Sequence, residues 1–216
     1  MTHYRKLQAP AELPEGAGQE DVLARLRGTL KAAQTTSPRI IQAVSDYRPT
    51  IDYPQGDDFA QNMKVVAALI NKGFDTRVYS VSIGNFDQHG PQRKSHDPLL
   101  RSLDRGVSCL LDDLRSTSFG SKVLVVAFSE FGRRVAQNAS TGTDHGAAGP
   151  MFLFGQPVQG GVYGRRPSTT DLDADGNLKY STDFRSVYAT VAEDWFGVDG
   201  ERLIGEAWPK LPLLNA

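Results

Sequence analysis

Two short segments combine carboxylates with imidazoles at a spacing that suits a metal ion. The first segment contains Asp87 and His89, and the second contains Asp144 and His145 between glycines. Side chains at positions i and i+2 of an extended segment point the same way, so Asp87 and His89 can share one cation. Carboxylate with imidazole suits Zn, Mn or Fe better than Ca or Mg. Each pair taken alone is also compatible with an ordinary polar turn.

Two further charged residues stand close to the second pair in the sequence. Glu130 follows an apolar run directly, and Arg133 comes shortly after it. A carboxylate at this place can orient a histidine ligand, and a guanidinium can hold an anionic oxygen through two parallel hydrogen bonds. We therefore predict Glu130 and Arg133 as candidate catalytic residues. An ion pair between them, or a helix cap at Glu130, is the plainer alternative.

The apolar pattern predicts the elements that position these residues. It predicts helices over 19–34, from Asp57 to Gly73, from Asp97 to Leu114 and from Thr182 to Gly197, and strands over 76–83, 122–128, 151–154 and 160–164. The run VLVVAF is typical of a strand buried on both faces. We therefore expect an α/β fold, with a mostly parallel sheet sandwiched by helices. In such sheets ligands bind beyond the carboxyl ends of the strands, where both candidate loops, 84–96 and 129–150, would lie.

Prolines and glycines divide the chain into two regions. Residues 1–18 resemble an extended arm, and residues 35–56 contain three prolines around a short apolar stretch at 40–44. We assign 1–56 to an amino-terminal arm and irregular helical segment, and 57–216 to the α/β domain. The tail from Trp208 is predicted to pack as a non-helical strap.

Composition excludes several classes of function. The 216 residues are 39% hydrophobic and 23% charged with a net charge of −1, so the basic excess typical of nucleic-acid binding is absent. A single cysteine, Cys109, cannot form an internal disulfide. No apolar run approaches the roughly 20 residues that span a bilayer, and no signal peptide is visible.

Several longer strings resemble one known family. The strings FSEFGRRV, TGTDHGAAGPMFLFG, GGVYG and LKYSTDFRSVYATVAEDWFGVD, together with SIGNFDQHG, closely resemble the domain-of-unknown-function family 1501 over residues 57–200. That family resembles a bacterial branch of the alkaline phosphatase and sulfatase superfamily. The resemblance implies an alkaline-phosphatase-like sheet with divalent metals, Zn or Mn, at its carboxyl ends. It implies one metal at Asp87 and His89, and a second at Asp144 and His145.

Two departures from the superfamily pattern bear on activity. Its opening strand has a ligand Asp followed by a Ser or Thr nucleophile, and no such element precedes residue 57. A late His ligand is also absent, since no His follows His145 and Ser181 or Thr182 stands in that neighbourhood. The chain therefore resembles the carboxy-terminal part of a longer protein, whose relatives often begin with a twin-arginine export signal.

The resemblance and the two departures from it leave three alternative functions. The first is a divalent-metal-dependent hydrolase of phosphate or sulfate esters, acting on an anionic small molecule or a sulfated or phosphorylated polymer, and inactive if truncated. The second is a non-catalytic, exported binding or assembly protein with a partial metal site. The third is an inert fragment that exposes apolar sheet edges and aggregates. In the first case the nucleophile would come from a missing amino-terminal half, or a metal-bound water would attack instead. That missing half, or a partner protein, is the expected macromolecular partner.

Two weaker motifs have simple structural explanations. The run from Asp171 to Gly176 matches the start of a calcium-binding loop, but position twelve is Thr182 rather than Glu, which favours a hairpin turn. Asn138-Ala139-Ser140 is a glycosylation sequon of a kind that is common by chance.

Overall fold

The chain folds into a mixed arrangement of helices and short strands, and the computed structural model describes residues 19–215. The arm predicted at 1–18 lies outside the described residues. The helices are α1 (Gln19–Asp46), α2 (Asp58–Asn71), α3 (Gln92–Leu114), α4 (Phe184–Thr190) and α5 (Gly200–Ile204), with a 3-10 turn at Gly120–Lys122 and a π-helix at Val191–Trp195 after α4. The strands are β1 (Val125–Ala127), β2 (Gly132–Gln137), β3 (Thr143–Gly146) and β4 (Phe152–Phe154).

Helix α2 forms where its sequence predicted it. The Asp57 carboxylate caps the helix by accepting a hydrogen bond from the amide of Ala60 at 3.1 Å. The apolar positions Phe59, Met63 and Val66 are buried, as the helical spacing predicted. Gly73 follows the end of the helix with a φ of 73°, a conformation that favours glycine.

Helix α3 packs against α2 and completes the main hydrophobic core. Its stripe Val107, Leu110 and Leu114 is buried, as predicted, and Tyr53 joins the same cluster. The helix begins at Gln92 rather than at the predicted Asp97, so Pro98 lies inside it. His96 therefore lies within the helix rather than just before it.

The predicted short apolar stretch at 40–44, with loops around it, is wrong. These residues belong to α1, which continues through Pro38 to Asp46 and buries Ala43 near its end. Proline removes one helical hydrogen bond, but here the helix continues past it. Within residues 19–215, no helix combines the length and the apolar character needed to cross a bilayer.

A buried carboxylate fastens the segment after α1 to α3. Asp113 is 1% exposed and accepts hydrogen bonds from the hydroxyls of Tyr47 and Tyr53 at 2.8 and 2.9 Å. It also accepts bonds from the amide and hydroxyl of Thr50, at 2.7 and 2.9 Å. Burial, and then the neighbouring Asp113, raises the pKa of both tyrosines, so both remain neutral hydrogen-bond donors.

The strand predicted over 76–83 does not form a paired strand. The segment nevertheless keeps a two-residue alternation of burial, because Tyr79, Val81 and Ile83 pack against the core while the residues between them are exposed. Val78 is 67% exposed although it is apolar. The segment is therefore extended in character, but the predicted hydrogen-bonded strand is not formed.

The mostly parallel, alkaline-phosphatase-like sheet is not confirmed. Within the described residues, β1 pairs with β4 and β2 pairs with β3, both antiparallel. Parallel pairing of consecutive strands needs a crossover, usually a helix. The chain between β1 and β4 instead forms the β2–β3 hairpin, inside the region predicted as a loop at 129–150. The prediction failed because an apolar run does not reveal the direction of its partner.

The carboxy-terminal part contains one wrong prediction and several correct ones. The strand predicted at 160–164 is not formed. The predicted turn at 173–177 is confirmed by the hydrogen bond from the amide of Asp173 to the carbonyl of Asn177, at 3.0 Å. Asp183 caps α4, and the non-helical tail buries Leu213.

Candidate metal centre

Three potential ligand atoms from two distant segments converge at one point. The Asp87 carboxylate oxygen Oδ1 lies 2.9 Å from Nε2 of His89 and 2.7 Å from Nε2 of His145. One potential ligand atom from each of these residues lies within 4.8 Å of the other two. This group, Asp87, His89 and His145, is called the ligand cluster below. Its side chains are between 44% and 66% exposed, so a small molecule in solvent can reach them.

Asp144, the fourth predicted ligand, lies on the other side of His89. Its Oδ1 is 3.4 Å from Nδ1 of His89, the ring nitrogen opposite the one that faces Asp87. The same oxygen accepts a hydrogen bond of 3.0 Å from the side-chain amide of Asn138. The structure thus brings all four predicted residues together, with Asp144 bridging His89 and Asn138.

The first loop presents Asp87 and His89 through a tight local fold. Asn85 adopts a φ of 67°, and the amide of Gln88 donates to the carbonyl of Phe86 at 2.9 Å. The Phe86 ring stands edge-on to His96, with their centroids 5.3 Å apart. Helix α3 therefore contacts this loop through His96. The side chains of Asp87 and His89 meet, as their spacing of two residues predicted.

The second pair lies on a hairpin rather than in a loop. His145 on β3 is paired with Arg133 on β2. The turn between the strands is held by Asn138, whose side-chain oxygen accepts from the amides of Ser140 and Gly142, each at 3.0 Å. The hairpin fixes the backbone of Asp144 and His145 on one rigid element.

Arg133 joins the hairpin to the first loop. Its Nη1 donates to the carbonyl of Thr143 at 2.6 Å, and its Nη2 donates to the carbonyl of Phe86 at 2.5 Å. These two carbonyls immediately precede Asp144 and Asp87 in the sequence. Arg133 was predicted as a catalytic residue, and in this structure its guanidinium holds the two segments together.

An aromatic stack sets the orientation of the His145 ring. Phe131 stacks on His145 with 3.9 Å between centroids and 10° between planes. The guanidinium carbon of Arg133 lies 5.0 Å from the centre of the Phe131 ring. Flat stacking restricts the imidazole to one plane, which directs Nε2 toward Asp87.

The two segments approach each other closely enough to require glycine. A Cβ added at Gly142 would lie 2.5 Å from the carbonyl oxygen of Gly90 and 2.7 Å from the carbonyl carbon of His89. The side-chain amide of Asn138 also donates to the carbonyl of His89, at 3.1 Å. The turn of the hairpin and the end of the first loop therefore pack backbone against backbone.

The hydrogen bonds keep both carboxylates ionised. Hydrogen bonds from His145 and then His89 hold the pKa of Asp87 below its usual range. The hydrogen bond from Asn138, and then that from His89, lowers the pKa of Asp144. Ionised carboxylates are the form that binds a cation.

The sequence indicated the ligand cluster but not all of its supports. Asn138, Phe131 and Gly142 were not predicted as site residues. Asn138 had been noted only as a glycosylation sequon, and the aromatic residue two positions before Arg133 was the one available signal for the stack. Glu130, the other predicted catalytic residue, is exposed, and no hydrogen bond or ion pair joins it to the described residues. Its catalytic role stays a prediction.

Comparison with known proteins identifies a family. No curated protein and no solved structure matches the chain. Residues 17–207 match the family described as "Protein of unknown function (DUF1501)". This range is longer than residues 57–200, over which the motifs show the resemblance. It also includes helices α1 and α5. Because it covers most of the sequence, the chain belongs to this family.

Proposed function

We propose that the chain binds one divalent transition metal at the ligand cluster and hydrolyses phosphate or sulfate esters there. The observation that supports the proposal most strongly is the convergence of Asp87, His89 and His145 from segments more than fifty residues apart. Two imidazoles and one carboxylate form a donor set that suits Zn, Mn or Fe. Three protein ligands with solvent access are typical of catalytic sites, whereas structural zinc sites have four.

The side chains of the ligand cluster fit a divalent metal ion. The three ligand atoms face one another, and Asp87 is held ionised by its neighbours. His145 is restricted by the Phe131 stack, so little rotamer freedom remains to be lost on binding. When bound, a divalent ion supplies Lewis acidity, which neutralises charge on an ester oxygen and favours attack by water.

The surroundings of the ligand cluster indicate how an ester would approach it and what would attack it. The cluster is open to solvent, so an anionic small molecule or the ester group of a polymer can approach it. Thr143, the hydroxyl residue next to Asp144, donates to the side chain of Gln92 at 2.7 Å. Because this hydroxyl is engaged, water is the nucleophile in our proposal. Glu130, exposed just before β2, is proposed as a carboxylate that orients a ligand or contacts the substrate.

We also propose that the chain is related to the alkaline phosphatases and sulfatases, and that it acts outside the cytoplasm. Both segments that present the ligand cluster follow apolar stretches, at 76–83 and 122–128. Phe128 at the end of the second stretch is 62% exposed, and Val78 in the first is 67% exposed. Apolar surface along segments typical of buried strands supports a larger sheet than the two-stranded β1–β4 sheet formed here.

Metal analysis tests the proposal directly. Elemental analysis of the purified chain after incubation with Zn or Mn should find about one equivalent of metal, as expected for a three-ligand site. The variants Asp87→Ala and His145→Ala should each lose it, whereas Asp104→Ala, at an exposed carboxylate on α3, should not. A wild-type chain without metal would overturn the proposal.

The exposed aromatic residues favour a second candidate function, a non-catalytic binding or assembly protein. Phe128 packs edge-on to Tyr188, and Tyr188 to Phe184, and both phenylalanines are more than half exposed. Exposed aromatic groups of this kind often contact partners. Turnover of p-nitrophenyl phosphate or p-nitrophenyl sulfate by the metal-loaded chain separates the two. A metal-loaded chain without turnover supports the second candidate.

A further inference from the structure

Asp144 lies beside His89, on the side of the ring that faces away from the point where the three atoms of the ligand cluster meet. Asp87 faces Nε2 of His89, whereas Asp144 faces Nδ1 of the same ring. The two nitrogens of an imidazole point in different directions, so one side chain on each leaves His89 between two carboxylates. The group of three converging atoms accordingly includes His145 but not Asp144.

We propose that Asp144 is a positioning residue for His89 and not a metal ligand, an inference that rests on the proposed metal centre. Neutral imidazole has one N–H and one lone pair, and the hydrogen bond made by one nitrogen decides which nitrogen is free to bind. In the metal-loaded protein, donation from Nδ1–H to Asp144 would leave the lone pair of Nε2 directed at the point shared with Asp87 and His145. Carboxylates that hold a histidine ligand in this way are common beside metal ions.

Asn138 holds Asp144 in the position that this role requires. Its side-chain nitrogen donates to Oδ1 of Asp144 at 3.0 Å and to the carbonyl of His89 at 3.1 Å. Its side-chain oxygen is occupied by the amides of Ser140 and Gly142, so the orientation of the Asn138 amide group is fixed. Asp144 is thus connected both to the hairpin turn and to the residue that it orients.

The inference differs from the ligand assignment that the family resemblance implies, and the two make different predictions. A lost ligand removes one donor atom from the metal. A lost positioning residue leaves the donor set unchanged, and weakens binding by about 10- to 100-fold because the ring is no longer held. Asparagine at this position can still accept a hydrogen bond, so it should retain part of the effect.

Metal titration and the spectrum of bound cobalt distinguish the two roles. Zn²⁺ affinity would be measured by competition with a chromophoric chelator for wild type, Asp144→Ala, Asp144→Asn and Asp87→Ala. We expect Asp144→Ala to weaken Zn²⁺ binding by about 10- to 100-fold, Asp144→Asn to lie between it and wild type, and Asp87→Ala to lose more. The visible spectrum of the Co²⁺-loaded protein should be unchanged in Asp144→Ala and altered in Asp87→Ala. Asp104→Ala is the matched control for loss of a negative charge.

The nitrogen that keeps its proton gives a readout that a purely structural effect would not change. In the Zn²⁺-loaded wild type, the Nδ1 proton of His89 should be visible by NMR and protected from exchange, and this protection should be lost in Asp144→Ala.

Failure of this inference can be told apart from failure of the proposed function. Wild type that binds no Zn²⁺ would overturn the metal centre itself. Wild type that binds Zn²⁺, with an Asp144→Ala variant that shows an altered Co²⁺ spectrum, would make Asp144 a ligand and overturn only the positioning role. An Asp144→Ala variant that binds as tightly as wild type would also overturn that role.

Discussion

Replacement of Arg133 tests whether the two segments must be held together for the ligand cluster to form. The guanidinium donates to the carbonyls that precede Asp87 and Asp144, at 2.5 and 2.6 Å. Arg133→Met keeps most of the aliphatic stem and removes both donors. The first loop would then depend on the weaker contacts from the hairpin turn. We therefore expect the loop to separate from the hairpin for part of the time.

The size of the effect follows from the two hydrogen bonds. A hydrogen bond from a charged donor contributes roughly 1.5–3 kcal/mol, and the lower end applies here because the side chain is only partly buried. Two bonds at the lower end give about 3 kcal/mol. Because both come from one guanidinium, they are not fully additive, and we expect a net loss of about 2 kcal/mol in the docking of the loop. At 1.4 kcal/mol per tenfold change, this corresponds to Zn²⁺ binding that is about 30-fold weaker.

The measurement is a Zn²⁺ competition titration with two companion variants. Arg133→Lys keeps the charge, but a single ammonium group does not reproduce the fork of the guanidinium, so its affinity should lie between those of wild type and Arg133→Met. Arg166→Met changes an exposed arginine and should bind as wild type does. If Arg133→Met binds Zn²⁺ as tightly as wild type, with the same midpoint of thermal unfolding, the positioning role of Arg133 is refuted.

Two further predictions concern stability. Asp113→Ala should lower the free energy of unfolding by about 2–4 kcal/mol in urea titrations, because it leaves the buried hydroxyl of Tyr53 and the partly buried donors of Tyr47 and Thr50 without their acceptor; a loss under about 1 kcal/mol would contradict the role given to Asp113. Asp183→Ala should cost about 1–2 kcal/mol at pH 7, because Asp183 caps α4 through the amide of Arg185 at 2.9 Å and pairs with its guanidinium. The Arg185 hydrogen bond holds the pKa of Asp183 below its usual value of 3.8, so the stabilisation is present above that value and is lost as the pH falls through the lowered pKa. Urea titrations of wild type and Asp183→Ala at a series of pH values should therefore converge in acid, and a difference that is constant with pH would contradict the assignment.

The helices could be predicted because their signals are local. The stripe of α2 and the cap at Asp57 lie within a few residues of each other, and the stripe of α3 is equally regular. Strand pairing is not local in this way. The run that ends at Phe128 has the composition of a central strand. The direction of its partner, β4, depends on the chain between them, which forms the β2–β3 hairpin and returns antiparallel. The run is only partly buried here, and Phe128 at its end is 62% exposed, so its composition predicted neither burial on both faces nor the topology.

The candidate site could be predicted only in part, because some of its contacts are local in the sequence and others are not. The types and spacing of Asp87 and His89 were sufficient to place both side chains at one point. The two loops were predicted at the strand ends of a parallel sheet, with the two Asp/His pairs at separate metals. In the structure His145 instead meets Asp87, and it does so through an antiparallel hairpin. The loops meet in both cases, because each follows an apolar segment that packs on the same core. The contacts of Arg133 and Asn138 with distant carbonyls required the folded chain.

The contacts between the two segments show that the β2–β3 hairpin positions the loop that contains Asp87 and His89. Hydrogen bonds from Arg133 and Asn138 on the hairpin end on backbone carbonyls of the first loop, and Gly142 allows the two backbones to touch. The hairpin is a hydrogen-bonded element, although its register shifts between Arg133 and Gln137, whereas the first loop lacks a ladder of its own. The hairpin thus acts as the template on which Asp87 and His89 are placed. Changes in the hairpin should therefore affect metal binding through residues that never touch the metal, and this is the property that the Arg133 and Asp144 variants measure.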